Sequence, residues 1–264
     1  MSAALLETLV KRPHAAGIFL DFDGTLSEIV PIPSEARPAH GVADLLVRLS
    51  RAYRVVAIVS GRGAAELVGW LGPELEIWGV HGAERSEAGA VIPSPGYSSH
   101  VDLMQRVHVD AAREMAEAGL EGSILENKGV VLTLHYRAAR DREAAAAALA
   151  GMAERLAARH GIDWVAGKMS FELRPPVPLS KAGVVLARAR AEGLDTVLFA
   201  GDDVVDLPAF DALDELERAG ARAVRVAVAA EETPRELLER ADLVVDGVAG
   251  AIALLEWLAP PVAG

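Results

Sequence analysis

Apolar residues along this chain come in two rhythms. Short unbroken runs, each closed by small or acidic residues, alternate with longer segments in which apolar side chains recur every three or four positions. Gly17 to Leu20 is the first run and reads as a buried strand, ending at Asp21-Phe22-Asp23-Gly24-Thr25. Ser27 to Pro38 is rich in proline and reads as a loop. Helical spacing follows from about His40 to Ala52, with Val42, Leu45, Leu46 and Leu49 on one face. Arg54 to Val59 is a second strand, Ala64 to Leu71 a short helix and Glu76 to Val80 a third strand. Strands that are apolar throughout, separated by amphipathic helices, predict a parallel sheet covered on both faces, an α/β core of Rossmann-like type.

The rhythm changes from about Arg85. Val101 to Ala118 and Asp141 to Arg159 have helical spacing, whereas Gly129 to Tyr136, Ile162 to Ala166 and Met169 to Arg174 read as strands. Two helices among short strands, without βα alternation, predict an antiparallel sheet with helices on one face. Pro175-Pro176-Val177-Pro178 closes this stretch as a stiff hinge. Alternation then resumes: helix Ser180 to Glu192, strand Thr196 to Ala200, helix about Leu207 to Ala219, strand Ala223 to Ala229, helix Pro234 to Arg240, strand Leu243 to Val245 and helix Gly250 to Leu258. The expected organisation is a core of residues 1–84 and 179–264, interrupted by an α+β cap of residues 85–178.

Composition narrows the partners. A chain of 264 residues buries an ample core, and the lack of cysteine removes disulfides, thiolate metal sites and cysteine nucleophiles while fitting a reducing cytosol. A formal net charge of −12 opposes nucleic acid and anionic membrane surfaces. No apolar run approaches the roughly 18 residues of a spanning helix, and Met1 to Val10 lacks a basic head. The expectation is a soluble, cytoplasmic monomer acting on a small molecule. Only four of the 26 basic residues are lysine, at positions 11, 128, 168 and 181. In a chain that otherwise uses arginine, a retained ammonium points to a chemical requirement.

Candidate chemistry collects at the carboxyl ends of the core strands, where open α/β sheets bind ligands. Period-2 alternation sends Asp21 and Asp23 the same way, and two carboxylates so close call for a hard cation such as Mg²⁺. Ser60-Gly61-Arg62 ends the second strand with a hydroxyl and backbone amides that suit phosphate oxygens. His81 ends the third and is a candidate substrate contact, and Lys181 opens the helix after the hinge. Asp202, Asp203 and Asp206 follow the strand that ends at Ala200, with Asp202 placed to complete a metal site and Asp206 expected to cap the next helix.

Asp21-Phe22-Asp23-Gly24-Thr25-Leu26, then Ser60, Lys181 and Asp202, resembles the ordered motif set of the haloacid dehalogenase superfamily of phosphohydrolases. That resemblance implies Asp21 as nucleophile, Asp23 as general acid and base, and Ser60 and Lys181 as phosphoryl holders beside Gly24, Thr25 and Gly61. It also implies Mg²⁺ on Asp21, the backbone carbonyl of Asp23, and Asp202. A narrower resemblance, spanning nearly the whole chain, is to the trehalose-6-phosphate phosphatases. It rests on Ser60-Gly61-Arg62, His81-Gly82-Ala83-Glu84, Glu126-Asn127-Lys128, the stretch from Lys168 to Glu172-Leu173-Arg174-Pro175, Lys181 and Gly201-Asp202-Asp203. It implies hydrolysis of trehalose 6-phosphate, with Glu126, Lys128, Lys168 and Glu172 on sugar hydroxyls and Arg174 either there or in a salt bridge. The sequence departs from that family at Val205, Leu207 and Pro208, where Thr, Glu and Asp are usual. Two rivals stand beside this reading: a phosphatase for another sugar ester, such as a glycosyl phosphoglycerate, and a non-catalytic sugar-phosphate sensor.

Overall fold

The computed structural model describes residues 2–30, 35–94, 96–167, 169–177 and 180–261. The chain runs α1 (Ser2–Lys11), β1 (Ala16–Leu20), α2 (Val42–Ala52), β2 (Val55–Val59), α3 (Ala64–Leu71), β3 (Glu76–Gly79), β4 (Glu84–Glu87) and β5 (Ala90–Pro93). Next come α4 (Val101–Ala118), β6 (Ile124–Asn127), β7 (Leu132–His135), α5 (Arg142–His160), β8 (Asp163–Gly167) and β9 (Ser170–Arg174). It ends with α6 (Lys181–Glu192), β10 (Thr196–Gly201), α7 (Leu207–Arg218), β11 (Arg222–Ala229), α8 (Arg235–Arg240), β12 (Leu243–Asp246) and α9 (Gly247–Leu258). Two compact units result, Met1–Ile92 with Ser180–Gly264, and Pro93–Leu179.

In the first unit the sheet order is β12-β11-β10-β1-β2-β3-β4-β5, parallel from β12 to β3 and antiparallel from β3 to β4. Strand alternation sorts the buried residues onto two faces. Ile18 and Leu20 of β1 join Leu45, Leu46 and Leu49 of α2, Leu67 of α3 and Leu255 of α9. Phe19 faces the other way, among Val184 and Val185 of α6, Phe210 and Leu213 of α7 and Leu237 of α8. At roughly 1.5–3 kcal/mol for each large apolar side chain removed from water, these two layers fix β1, β2 and β10 side by side. β1 lies between β10 and β2, so the strand order switches direction beside it, and open α/β sheets bind ligands at the carboxyl ends of the strands at such a point.

The second unit is a four-stranded antiparallel sheet of order β6-β7-β9-β8. Met104 and Val107 of α4 and Leu149, Met152 and Leu156 of α5 pack on Leu132, Leu134, Phe171 and Leu173, so helices cover one face.

Several elements differ from the sequence expectation. The division falls at Ile92 and Pro93 rather than at residue 84, because β4 and β5 extend the core sheet. β4, Glu84-Arg85-Ser86-Glu87, gives no apolar run, and β5, Ala90-Val91-Ile92-Pro93, is apolar but only four residues long and ends in proline. β6 was not anticipated either, and the strand expected from Gly129 begins at Leu132 because Gly129 turns with φ +78°. α1 is additional.

Candidate functional site

Three neighbouring strands deliver three side chains to one edge. Asp21 follows β1, Ser60 follows β2 and Asp202 follows β10, and the Asp21 N–H, donating to the Ala200 carbonyl at 2.9 Å, ties the first edge to the third. All three residues are buried. Lys181 begins α6, whose start is capped by the Ser180 hydroxyl accepting from the Ala182 N–H at 3.1 Å. Its side chain is 1% exposed, and Nζ donates to Asp21 Oδ1 at 2.7 Å and to Asp206 Oδ1 at 2.6 Å. The other oxygen of Asp206 accepts from the N–H groups of Asp202 and Asp203 at 3.0 and 3.1 Å.

Asp21, Asp202 and Asp206 each offer an oxygen within 4.8 Å of the others. Three carboxylates against one ammonium leave two negative charges, which is the charge of one divalent cation. Burial pushes the carboxyl of Asp21 well above its ordinary range; Lys181 opposes this, and Asp206 and Asp202 add to it. Asp202 is pushed up to about 7, by burial first and then by Asp206 and Asp203. Burial works against the charge on Lys181, but the two carboxylates it touches outweigh that and keep it protonated. The donor set, carboxylate oxygens with an uncompensated double charge, fits a hard cation of the Mg²⁺ type. Both oxygens of Asp206 already accept hydrogen bonds, so it braces Lys181 and the Asp202 backbone. The expected cap on α7 is absent: Asp206 makes no side-chain bond there, and Asp203 caps the turn by accepting from the Val204 N–H at 2.6 Å.

The carboxylate of Asp23 lies outside this cluster. Arg62 grips it from two nitrogens at 2.8 and 2.9 Å, and also reaches Glu66 at 3.1 Å. The guanidinium is half-sandwiched on aromatic faces, 5.8 Å from the Phe22 ring centre and 5.1 Å from that of Trp70. Side-chain exposure is 10% for Arg62 but 39% for Asp23, so the acid keeps an open side while its base is fixed. Gly24 has φ +75°, and a Cβ there would lie 2.1 Å from Asp202 Oδ2; only glycine allows the two loops this approach. Thr25 is fully buried, with a hydroxyl that has no hydrogen-bond partner among the described residues. Ser60 Oγ accepts from the Arg62 N–H at 3.1 Å, leaving its proton to donate.

His81 reaches the same edge through strain. The expected third strand stops at Gly79, and Val80 and His81 take φ of 49° and 55°, a region that costs L residues about 1–3 kcal/mol each. The His81 ring then sits against Gly61, where an added Cβ would come within 2.8 Å of it.

In the second unit, Glu126 on β6 takes His135 Nε2 at 2.8 Å and Lys128 Nζ at 3.5 Å, both on Oε2. Glu172 on β9 is paired with Arg174, which donates through Nε at 2.9 Å and through a terminal nitrogen. Arg174 is thus in a salt bridge. Lys168 lies outside the described residues. His135 does not stand out in the sequence; its two-residue alternation with Thr133 is the available signal.

The replacements at Val205, Leu207 and Pro208 leave this arrangement standing. Pro208 sits in the first turn of α7, where its missing N–H is no loss, and Leu207 packs on the apolar layer beneath.

Comparison with known proteins bears on the family and the fold. The profile of the family described as trehalose-phosphatase matches residues 19–239. The trehalose-phosphate phosphatase of Mycolicibacterium paratuberculosis is 36% identical over 209 residues, covering 74% of this chain and 51% of that protein. This chain therefore spans about half the length of that relative. The C-terminal domain of Candida albicans trehalose-6-phosphate phosphatase superposes with a TM-score of 0.78 at 23% identity, over 98% of this chain and 97% of that one. Aspergillus fumigatus trehalose-6-phosphate phosphatase gives 0.65 at 27%, over 98% and 97%. A haloacid dehalogenase-like hydrolase from Bacteroides thetaiotaomicron shares the fold, with a TM-score of 0.62 at 17% identity over 92% and 99%. With the profile match running from inside β1 to α8, past Asp21, Ser60, Lys181 and Asp202, the chain belongs to the trehalose-phosphatase family.

Proposed function

We propose that this chain hydrolyses trehalose 6-phosphate to trehalose and phosphate, through a phosphorylated Asp21. The carrying observation is the buried Asp21 held by Lys181 beside Asp202, at the switch point of a trehalose-phosphatase fold. The free oxygen of Asp21 attacks phosphorus, and the bond from phosphorus to the sugar oxygen breaks. Both oxygens of Asp23 accept from Arg62 in the resting arrangement, so Asp23 first takes up a proton from water on its open side and then gives it to that leaving oxygen. It then takes a proton from water, whose oxygen attacks the same phosphorus and releases Asp21. Lys181, Ser60 and Thr25 hold the phosphoryl oxygens, with Gly61 beside them; the Gly24 N–H is taken by the Ser27 carbonyl at 2.8 Å, so Gly24 serves through its turn. Asp21, Asp202 and the Asp23 carbonyl are the proposed holders of Mg²⁺, which neutralises charge on the transferring group when bound.

Sugar recognition is assigned to Glu126, Lys128, Lys168 and Glu172, with His81 and Arg62 as further contacts. Charged groups make the stronger directional hydrogen bonds to hydroxyls. No described helix is long and apolar enough to cross a membrane, and we place the reaction in the cytoplasm, carried out by a monomer. The test is phosphate release from trehalose 6-phosphate, glucose 6-phosphate and a glycosyl phosphoglycerate, each with Mg²⁺ and with chelator. Metal-dependent release confined to the trehalose ester is expected. Release from another ester alone removes the substrate and keeps the chemistry; none from any supports a sensor.

A further inference from the structure

The face of the second unit's sheet that α4 and α5 leave uncovered has an ordered polar row. Register pairs Glu126 with Thr133 and Thr133 with Glu172, so these three side chains share one face across β6, β7 and β9. His135 is two residues beyond Thr133 and therefore on that face, diagonal to Glu126. A carboxylate oxygen only accepts, so the 2.8 Å contact puts a proton on His135 Nε2. Lys128 approaches the same oxygen, Oε2. Glu126 Oε1 has no hydrogen bond among the described residues, and Thr133, 2% exposed, has an unpartnered hydroxyl beside it in the row. Burial pushes the Glu126 carboxyl up, but His135 and Lys128 outweigh this and hold it below its ordinary range.

We infer that His135 is a positioning and specificity-determining residue: it fixes one oxygen of Glu126 so that the other is presented, at a set angle, to a hydroxyl of a neutral sugar. This rests on the reading of the second unit as the sugar-recognising one. A rigid anionic acceptor beside a second carboxylate, Glu172, favours a polyhydroxylated neutral group and repels a substrate with its own carboxylate. Without His135, Glu126 keeps its charge but loses its fixed rotamer.

The test compares the full chain with His135→Phe, His135→Gln, Glu126→Ala and the Phe/Ala double variant. The readouts are kcat and KM for trehalose 6-phosphate and for p-nitrophenyl phosphate, which has no sugar. His135→Phe is expected to raise KM for the sugar ester about ten-fold relative to the aryl ester, with kcat little changed. His135→Gln, which returns an N–H donor, is expected to recover most of this, and His135→Phe is expected to cost nothing further on the Glu126→Ala background. Equal losses on both esters, no rescue by glutamine, or an added loss in the double variant would overturn the inference. If the unaltered protein prefers another sugar ester, the substrate reading falls, and the same ratios measured on that ester decide the role of His135.

Discussion

Replacing Lys181 by methionine tests whether one ammonium holds the acidic centre together. The side chain is 1% exposed and contacts Asp21 and Asp206, themselves buried, at 2.7 and 2.6 Å. Methionine fills a similar volume, so the change is mainly one of charge. Removing one partner of a buried ion pair costs about 3–5 kcal/mol, and here two carboxylates lose their counter-charge. Protonation limits that cost: at pH 7.5 neutralising an aspartate of ordinary pKa near 3.9 costs about 5 kcal/mol, and at pH 5 about 1.5 kcal/mol. Lys181 itself has a raised pKa in the fold, so its stabilisation is full below the unfolded value of 10.5 and is lost only above it. Any pH dependence between 5 and 7.5 in the difference between the two proteins therefore belongs to the carboxylates. Urea unfolding in chelator should show Lys181→Met less stable by about 4 kcal/mol at pH 7.5, and by less than half of that at pH 5. A loss under about 1 kcal/mol at pH 7.5, the range of an exposed pair, or an equal loss at both pH values, would refute the reasoning.

Three further outcomes are expected. Asp21→Asn should abolish turnover while leaving the sugar phosphate bound, as read by phosphate release and calorimetric titration. Gly24→Ala, whose Cβ would lie 2.1 Å from Asp202 Oδ2, should displace that carboxylate and weaken Mg²⁺ activation by about ten-fold or more, as read from the metal dependence of the rate. In metal-free protein, Asp202 at about 7 against roughly 3.9 unfolded binds a proton more tightly when folded. Its contribution is therefore full below about pH 4 and lost as pH rises through 7, up to about 4 kcal/mol in all. Saturating Mg²⁺, which binds the ionised form, should flatten that fall in urea titrations from pH 4.5 to 7.5.

Parts of this arrangement are legible in the sequence for a physical reason. Strands such as β1, β2 and β10 are covered on both faces, so apart from Thr196 at the start of β10 their residues are apolar, and each run ends abruptly where the side chains must become chemical. Asp21, Ser60 and Asp202 stand out for that reason. Asp206 does not, because its meaning comes from Lys181, 25 positions away in the chain, and from backbone N–H groups in its own turn. Asp23 is visible as an acid, but its engagement by Arg62 on Phe22 and Trp70 depends on packing that no spacing encodes. β4 lacks the run that marks a buried strand because its residues are polar and half-exposed, and β5, though apolar, is a four-residue edge strand that ends in Pro93. His135 was hidden likewise: its partner Glu126 is on a different strand, and only register brings the two together.

The most direct test of the central claim is to mix the protein with trehalose 6-phosphate and Mg²⁺, quench in acid within one turnover, and locate bound phosphate by peptide mass spectrometry. A phosphoryl group on the peptide bearing Asp21, absent with chelator and absent from Asp21→Asn, is the predicted result. Phosphate release with no phosphoryl group on Asp21, or with one on a different residue, would contradict it.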